Sequence, residues 1–166
     1  MSNIWTNIFK PRQTEEDTIL AVLMRIPIFE GLDSKELRQI ENILHQREYA
    51  KQETIFFQGE PGLGMYIIIQ GDVDIISEPE KHQLAELHEG DFFGELSLLD
   101  ESPRTASAVA KDPSRLLCLF QSDLNDLITR NPGLGVKILV QLARTIGARL
   151  RKTNDHVTEL KKVYQA

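Results

Sequence analysis

The feature that most constrains the fold is the arrangement of apolar residues between residues 46 and 120, which differs from that of the flanking segments. Short runs rich in Ile, Val and Phe, such as GMYIIIQGDVDIIS, are separated by turns there, and six of the ten glycines lie between residues 59 and 94. Short apolar runs divided by Gly and Pro are typical of strands at close spacing. This pattern favours an antiparallel sandwich or barrel over a parallel sheet.

The segments on both sides of this region have helical patterns, so the chain is expected to be α+β. Residues 15–25 predict one helix from the spacing of their apolar side chains. A second helix is predicted after Asp33, because Asp33 followed by Glu36 forms the signature of a capping box. A third is predicted to be capped by Ser122 and to stop before Pro132.

A long helix is predicted from about residue 133 to about residue 164. It carries a seam of residues at alternating spacings of three and four: Val136, Leu139, Ala143, Ile146, Leu150, Thr153, Val157, Leu160 and Tyr164. This spacing predicts a coiled-coil seam. A helix of this length, ~45 Å, overshoots a small domain. We therefore expect the first half to pack on the protein's own body and the second half to form a parallel homodimer.

Composition narrows the class of protein. The net charge of −6 argues against a general nucleic-acid coat and against an acidic membrane surface as the main partner. Residues 133–166 nevertheless hold seven basic side chains and two acidic ones. Cys118 is the single cysteine, and no apolar run approaches the ~18 residues of a membrane span. A cytoplasmic protein is therefore expected.

Residues 92–109, FFGELSLLDESPRTASAV, have the properties of an anion site. Phosphate sites combine an arginine, backbone N–H groups and the start of a helix. Gly94 permits close approach of the backbone, the following LSLL can form one helical turn, and Arg104 follows a rigid proline. Thr105 adds a hydroxyl and Ala106 an unobstructed N–H. A carboxylate repels phosphate, so Glu95 is better matched to a sugar hydroxyl.

The residues alone leave another interpretation open, in which Arg104 pairs with Asp100 or Glu101 in a surface turn. The combination FGELSLL and PRTASA, however, resembles the phosphate-binding cassette of cyclic nucleotide-binding domains. That family includes catabolite activator proteins, regulatory subunits of cyclic-nucleotide-dependent kinases and cyclic-nucleotide-gated channels. The order of helices, strands and cassette is similar over most of the chain. The resemblance implies an antiparallel β jelly-roll barrel flanked by N-terminal helices and by C-terminal helices, the last one long.

The resemblance also implies roles for individual residues. Arg104 would bind the cyclic phosphate and Glu95 would accept a hydrogen bond from the ribose 2′-hydroxyl. The remaining contacts implied in the cassette come from Gly94, Leu96, Thr105 and Ala106, and those on the base side from Leu84, Leu87 and Arg149. In the family, a threonine in the position of Thr105 often helps to hold guanine, but related cassettes with threonine also accept cAMP. We expect cAMP, with cGMP left open.

The resemblance divides the chain into two parts. Residues 1–132 would hold the N-terminal helices, the nucleotide-binding barrel and the following helix, and residues 133–166 a lid and dimer stem. Because the sequence stops at Ala166, no DNA-reading domain is expected. The expected function is a cyclic nucleotide sensor that signals by rearranging its C-terminal helices, to its own dimer or to an unknown protein effector. The alternative is an interaction module that keeps the fold without a ligand.

Neither catalysis nor a metal or other cofactor is expected. The histidines at positions 45, 82, 88 and 156 lack the spacing of metal ligands. Ser97 and Ser107 have no histidine nearby in sequence, so no nucleophile–base pair is evident. At the N-terminus, Ile4, Trp5, Ile8 and Phe9 form an apolar stripe. The stripe either packs on the domain or docks on a partner or membrane surface.

Overall fold

The computed structural model describes residues 15–164, so the stripe of Ile4, Trp5, Ile8 and Phe9 lies outside the described residues. The helices are α1 (Glu15–Leu23), α2 (Ser34–Glu41), α3 (Gln121–Arg130) and α4 (Pro132–Tyr164). The strands are β1 (His45–Tyr49), β2 (Thr54–Phe56), β3 (Gly64–Gln70), β4 (Val73–Ser77), β5 (His82–Leu87), β6 (Phe92–Phe93), β7 (Ser107–Ala110) and β8 (Ser114–Phe120). Two 3-10 turns occupy Pro27–Phe29 and Glu95–Leu98.

The strands form two antiparallel sheets, which confirms the predicted fold class. One sheet has the order β1-β8-β3-β6 and the other β2-β7-β4-β5. The two sheets stay separate and do not close into a complete barrel. A cluster of apolar side chains that includes Ile68, Val73, Phe93 and Leu116 joins the two sheets.

A larger core joins the first sheet to the helices. Its fully buried members include Leu23, Ile26, Phe29, Ile40, Met65, Ile67, Leu119, Leu124, Leu134, Ile138 and Leu142. Strands β3, β6 and β8 supply the sheet side of this core, and all four helices contribute to the other side. The start of α4 is therefore fixed against the body of the protein. None of the helices described between residues 15 and 164 is long and apolar enough to cross a membrane.

Two helix caps predicted from the sequence can be compared with the structure. The capping box before α2 is confirmed, since Asp33 accepts from the Glu36 N–H at 2.8 Å and the Glu36 carboxylate accepts from the Asp33 N–H at 3.0 Å. The prediction that Ser122 caps α3 is wrong, because β8 runs directly into a helix that begins at Gln121. The Gln121 N–H instead donates to the Leu63 carbonyl at 2.9 Å.

The first half of the predicted seam of α4 lies mostly outside the core, contrary to expectation. The fully buried stripe there is Leu134, Ile138 and Leu142, spaced by four residues. Val136, at the start of the seam, is 58% exposed. Ile146 is the seam residue that packs, partly buried, against the core. The helix thus has two apolar faces, and most of the seam lies on the outer one.

Candidate functional site

A cavity of about 630 Å³ lies between the cassette (residues 94–106), the second sheet and α4. Its walls are mainly apolar on the sheet side and polar on the cassette side. Its lining consists of Phe56, Ile75, Ala85, Leu87, Phe92, Phe93, Gly94, Glu95, Leu96, Ser97, Asp100, Ser102, Pro103, Arg104, Thr105, Ala106 and Arg149. The structure thus brings all six cassette residues singled out from the sequence to one cavity, together with Leu87 and Arg149.

The backbone of the cassette turns sharply at Gly94. This residue has a φ of +74° and starts the 3-10 turn Glu95–Leu98, so the single helical turn predicted from LSLL is present. A side chain at Gly94 would be strained at this φ, and its Cβ would lie 2.6 Å from Nη1 of Arg104. Glycine is therefore required here for two reasons, the turn and the close approach of Arg104.

Arg104 lies in the floor of the cavity, where it is only 7% exposed. Its Nη1 donates to Ser97 Oγ at 2.8 Å and to the Gly94 carbonyl at 3.3 Å, and its Nη2 donates to the Gly64 carbonyl at 2.7 Å. The guanidinium also stacks 4.1 Å from the ring centre of Phe56. None of the ion pairs found within residues 15–164 joins Arg104 to Asp100 or Glu101.

The guanidinium of Arg104 keeps unused donors despite these contacts. An arginine has five N–H donors, and the three hydrogen bonds above leave Nε–H and one N–H of Nη2. Nε is buried and has no hydrogen-bond partner among the described residues. Burial lowers the pKa of Arg104 from its usual value because it disfavours the charged form. An anion at Nε would satisfy this donor and compensate the buried charge.

Glu95 connects the cassette to α4. The residue is 7% exposed, and its Oε1 accepts a hydrogen bond from Nη1 of Arg149 at 2.6 Å. Nη2 of Arg149 donates to the Phe92 carbonyl at 3.1 Å, and the guanidinium lies 4.4 Å from the centre of the Phe92 ring. The side chain of Arg149 is 47% exposed. One half-exposed arginine therefore links the long helix to a buried carboxylate in the cavity.

The sheet side of the cavity differs from the sequence prediction at one position. Leu87 lines the cavity, but Leu84 does not, and Leu84 is 58% exposed. Strand β5 has an irregularity here: Ile75 pairs with Ala85 and Ile76 with Gln83, so Leu84 is left without a partner residue. Alternate residues of a strand share a face, and the cavity therefore takes Ala85 and Leu87. Leu84 and Leu87 are three residues apart, so a regular strand would also place them on opposite faces.

The structure adds several residues that the sequence pattern did not single out. Phe56 stacks on Arg104, while Ser97 and the Gly64 carbonyl hydrogen-bond it. Phe56 and Gly64 lie at least 40 residues before Arg104 in the chain, and nothing in the sequence pattern joins them to the cassette. Ser97 lies inside the cassette motif, so its position alone could have marked it as a candidate.

A second polar cluster lies at one end of the second sheet. Single ligand atoms of Asp72, Glu86 and His88 lie within 4.8 Å of one another. His88 Nδ1 contacts Asp72 Oδ1 at 2.9 Å, and this hydrogen bond raises the pKa of His88. The ammonium group of Lys111 pairs with Glu86. The carboxylates of this cluster thus have partners among the protein's own side chains: His88 for Asp72 and Lys111 for Glu86.

Several known proteins are similar to this chain in sequence and in fold. Residues 46–131 match the family model of the cyclic nucleotide-binding domain. A cyclic AMP receptor protein of Thermus thermophilus is 37% identical over 123 residues, which are 72% of this chain and 57% of that protein. A cAMP-dependent protein kinase regulatory subunit of Mycosarcoma maydis is 37% identical over 106 residues, 61% of this chain and 20% of that protein. The chain thus spans about a fifth to just over half of these relatives.

A solved structure supports the same assignment. The crystal structure of a cyclic nucleotide-binding domain from Methylobacillus flagellatus superposes with a TM-score of 0.75 and 27% identity, and covers 86% of this chain and 82% of its own. The family match covers just over half of the chain and includes the cavity floor, the cassette and the second sheet. On fold, cassette geometry and sequence, this chain belongs to the cyclic nucleotide-binding domain family.

Proposed function

We propose that the chain binds a cyclic nucleotide, cAMP, in the 630 Å³ cavity and serves as a sensor of it. The observation that carries the proposal is the buried guanidinium of Arg104, which lines that cavity and whose Nε has no hydrogen-bond partner among the described residues. A buried arginine whose charge and donors are not all paired lowers the stability of the fold, unless a bound anion pairs with it. The volume falls within the ~300–1,000 Å³ of small-molecule sites.

The cavity offers a separate place for each part of the ligand. The cyclic phosphate binds at Nε and Nη2 of Arg104, the two nitrogens along one edge of the guanidinium. The ribose 2′-hydroxyl donates to the carboxylate of Glu95. The purine lies against the apolar sheet wall, to which Ala85 and Leu87 contribute. An acid and an arginine in one cavity thus act on different ligand groups, which explains why they are not paired with each other.

The proposal of cAMP over cGMP rests on the relatives. The Thermus thermophilus receptor and the Mycosarcoma maydis kinase subunit are both named for cAMP. Thr105 lines the cavity and its hydroxyl can hydrogen-bond the phosphate or a guanine, so it does not separate the two ligands. A direct comparison of the two nucleotides therefore belongs to the test.

Signalling would pass through Arg149 to α4. Ligand binding adds a donor to the carboxylate that Arg149 already holds, and so changes how firmly α4 is attached to the cavity. The part of α4 beyond Arg149 is exposed from Leu150 to Lys162. We infer that this part carries the output, to a second copy of the chain or to a protein effector.

The second copy would bind along the exposed seam of α4. Val136, Leu150, Val157 and Leu160 are between 43% and 58% exposed, and they lie at heptad spacing. Exposed apolar residues sustained at this spacing are characteristic of a helix that pairs with another helix. A parallel homodimer through the seam buries them, and residues 133–166 then act as lid and stem together.

The protein is proposed to bind its ligand without converting it. The groups nearest to the phosphate site are an arginine, a hydroxyl and backbone groups, which bind an anion but do not activate water. Incubation of the protein with cAMP should leave the nucleotide intact when it is analysed by chromatography. Appearance of 5′-AMP in proportion to protein would show that the protein is an enzyme.

Calorimetric titration with cAMP, cGMP and 5′-AMP tests the proposed binding. We expect one cAMP per chain, with weaker binding of cGMP and much weaker binding of the acyclic 5′-AMP, whose doubly charged phosphate does not fit a site built for a cyclic monoanion. Tighter binding of cGMP would correct the choice of ligand. Absence of heat with both cyclic nucleotides would favour the ligand-free interaction module.

A further inference from the structure

The side chain of Ser97 contacts Arg104 inside the cavity and is almost fully buried. It is 5% exposed, and its Oγ accepts from Nη1 of Arg104 at 2.8 Å. The other two acceptors of the guanidinium are the backbone carbonyls of Gly64 and Gly94. Ser97 is therefore the side-chain acceptor among the three hydrogen bonds described for Arg104. Replacement of Ser97 by alanine removes this acceptor and leaves the two carbonyl acceptors as they are in the sequence.

The bond from Ser97 determines which edge of the guanidinium is left for a ligand. Nη1 has two hydrogens, and they are used by Ser97 and, at the longer distance of 3.3 Å, by Gly94. With Nη1 occupied, the remaining donors are on Nε and Nη2. These two nitrogens form one edge of the planar group, and two donors on one edge are suited to bidentate binding of a phosphate.

The packing around Ser97 leaves space for its hydroxyl and little more. A Cβ added at Gly62 would lie 2.0 Å from Ser97 Oγ and 2.7 Å from Ser97 Cβ. Real Cβ atoms do not approach other atoms so closely, so Gly62 and Ser97 form a matched pair. The hydroxyl is held in place from one side by Gly62 and makes its hydrogen bond to Arg104 on the other.

We propose that Ser97 is a positioning residue for anion capture: its hydroxyl occupies Nη1 of Arg104 and so presents the Nε and Nη2 edge to the cyclic phosphate. The inference rests on the proposed binding of a cyclic nucleotide and assigns a residue that acts through Arg104. Without this hydroxyl, Nη1 retains the longer bond to Gly94, and the guanidinium can rotate about its stacking contact with Phe56.

Ser97→Ala should weaken cAMP binding about tenfold, the size expected for a buried hydrogen bond to a charged group. The matched control is Ser114→Ala, which removes another buried serine hydroxyl (5% exposed) whose hydrogen bonds go to the Asp72 and Asp112 carbonyls. This control should bind cAMP like the unmodified protein. Gly62→Ala should reproduce the loss caused by Ser97→Ala, because the added methyl group displaces the hydroxyl.

A double-mutant cycle and a spectroscopic measurement separate positioning from general loss of structure. In an Arg104→Lys background, Ser97→Ala should have no further effect on affinity, since lysine has no planar edge to position. In the free protein, the ¹⁵N–¹H signal of Arg104 Nε should shift or broaden in Ser97→Ala but not in Ser114→Ala. If Ser97→Ala does not fold, Ser97→Cys replaces it, with a smaller loss than alanine because the sulfur still accepts a hydrogen bond, although more weakly than the hydroxyl oxygen.

The outcomes distinguish this inference from the proposed function. If the unmodified protein binds no cyclic nucleotide, the proposed function fails, while the Nε signal still reports whether Ser97 holds Arg104. If the unmodified protein binds cAMP and Ser97→Ala binds equally well with an unchanged Nε signal, the positioning role is overturned. Equal losses from Ser97→Ala with and without the Arg104→Lys substitution would also overturn it.

Discussion

The cassette and α4 both line the same cavity, but they are built in different ways. In the cassette, Glu95 and Arg104 are both 7% exposed and come from one stretch of chain held by a 3-10 turn. Helix α4 reaches the cavity through Arg149, a side chain 47% exposed and 54 residues away from Glu95 in sequence. The comparison indicates a buried anion site and a proposed lid that reaches the cavity through one half-exposed side chain, Arg149.

This difference predicts where substitutions act. Changes in the cassette should affect affinity, because the buried groups there have no alternative partners. Changes in α4 should affect affinity less and assembly or signalling more, because its contact with the cavity is half exposed and most of its seam lies outside the core.

The largest expected effect is on assembly. Replacement of Leu150 and Leu160 by aspartate places charges in the seam and should convert a dimer, twice 18.9 kDa, into a monomer in sedimentation equilibrium. Leu63→Asp, at a leucine that is 64% exposed and outside α4, is the control and should remain dimeric. An unmodified protein that sediments as a monomer with and without cAMP would rule out the homodimer.

Glu95→Gln tests the ribose contact. The substitution removes the negative charge of the group that accepts hydrogen bonds from the ligand hydroxyl and from Arg149. It should weaken cAMP binding about 30-fold in calorimetry. Glu101→Gln, an exposed acid in the same loop, is the control. The unmodified protein should lose a similar factor with 2′-deoxy-cAMP, and Glu95→Gln should lose nothing further with that analogue. If Glu95→Gln still bound 2′-deoxy-cAMP about 30-fold more weakly than cAMP, the ribose hydroxyl would be held by a residue other than Glu95.

Two leucines in the same strand test the base side. Leu87→Ala removes part of the cavity wall and should weaken cAMP binding about fivefold through lost apolar contact. Leu84→Ala, at the residue that projects from β5 into solvent, should leave the affinity unchanged. Competition binding with a fluorescent cyclic nucleotide resolves this difference, and the reverse order of effects would place the base on the other face of β5.

The smallest effect on affinity is expected from Arg149→Ala, about threefold, because its ion pair is partly screened by solvent. Its effect on coupling should be larger. Hydrogen exchange of residues 150–162 should respond to cAMP in the unmodified protein and not in Arg149→Ala. Arg151→Ala, on the same exposed part of α4, should respond normally. An unchanged response in Arg149→Ala would show that the signal reaches α4 by another route.

The fold and the cassette could be predicted because their signals are local. The capping box of Asp33 and Glu36, the glycine turns and the occurrence of Glu95 and Arg104 in one motif each depend on residues close in sequence. The resemblance of the cassette to a known family then supplied the ligand class. The sequence pattern left both a sandwich and a barrel open and did not show that the two sheets stay separate.

The parts that could not be predicted depend on contacts between distant segments. Phe56 and Gly64 meet Arg104 because β2 and β3 come together beneath the cassette, which no spacing in the sequence reveals. The error at Ser122 arose because α3 starts without a loop. The error at Leu84 could have been avoided from the spacing alone, since two residues three apart in a strand lie on opposite faces. The seam of α4 was visible in the sequence, but the inner stripe was not distinguished from it; that stripe is Leu134, Ile138 and Leu142.

The central claim is that the buried guanidinium of Arg104 captures the phosphate of a cyclic nucleotide. Calorimetric titration of cAMP into Arg104→Ala tests it most directly, in parallel with Arg130→Ala, whose arginine is 78% exposed and pairs only with Asp126 in its own helix among the described ion pairs. We expect Arg104→Ala to lose at least 100-fold in affinity, about 3 kcal/mol, and Arg130→Ala to lose nothing. Equal affinities of the two variants for cAMP would contradict the account.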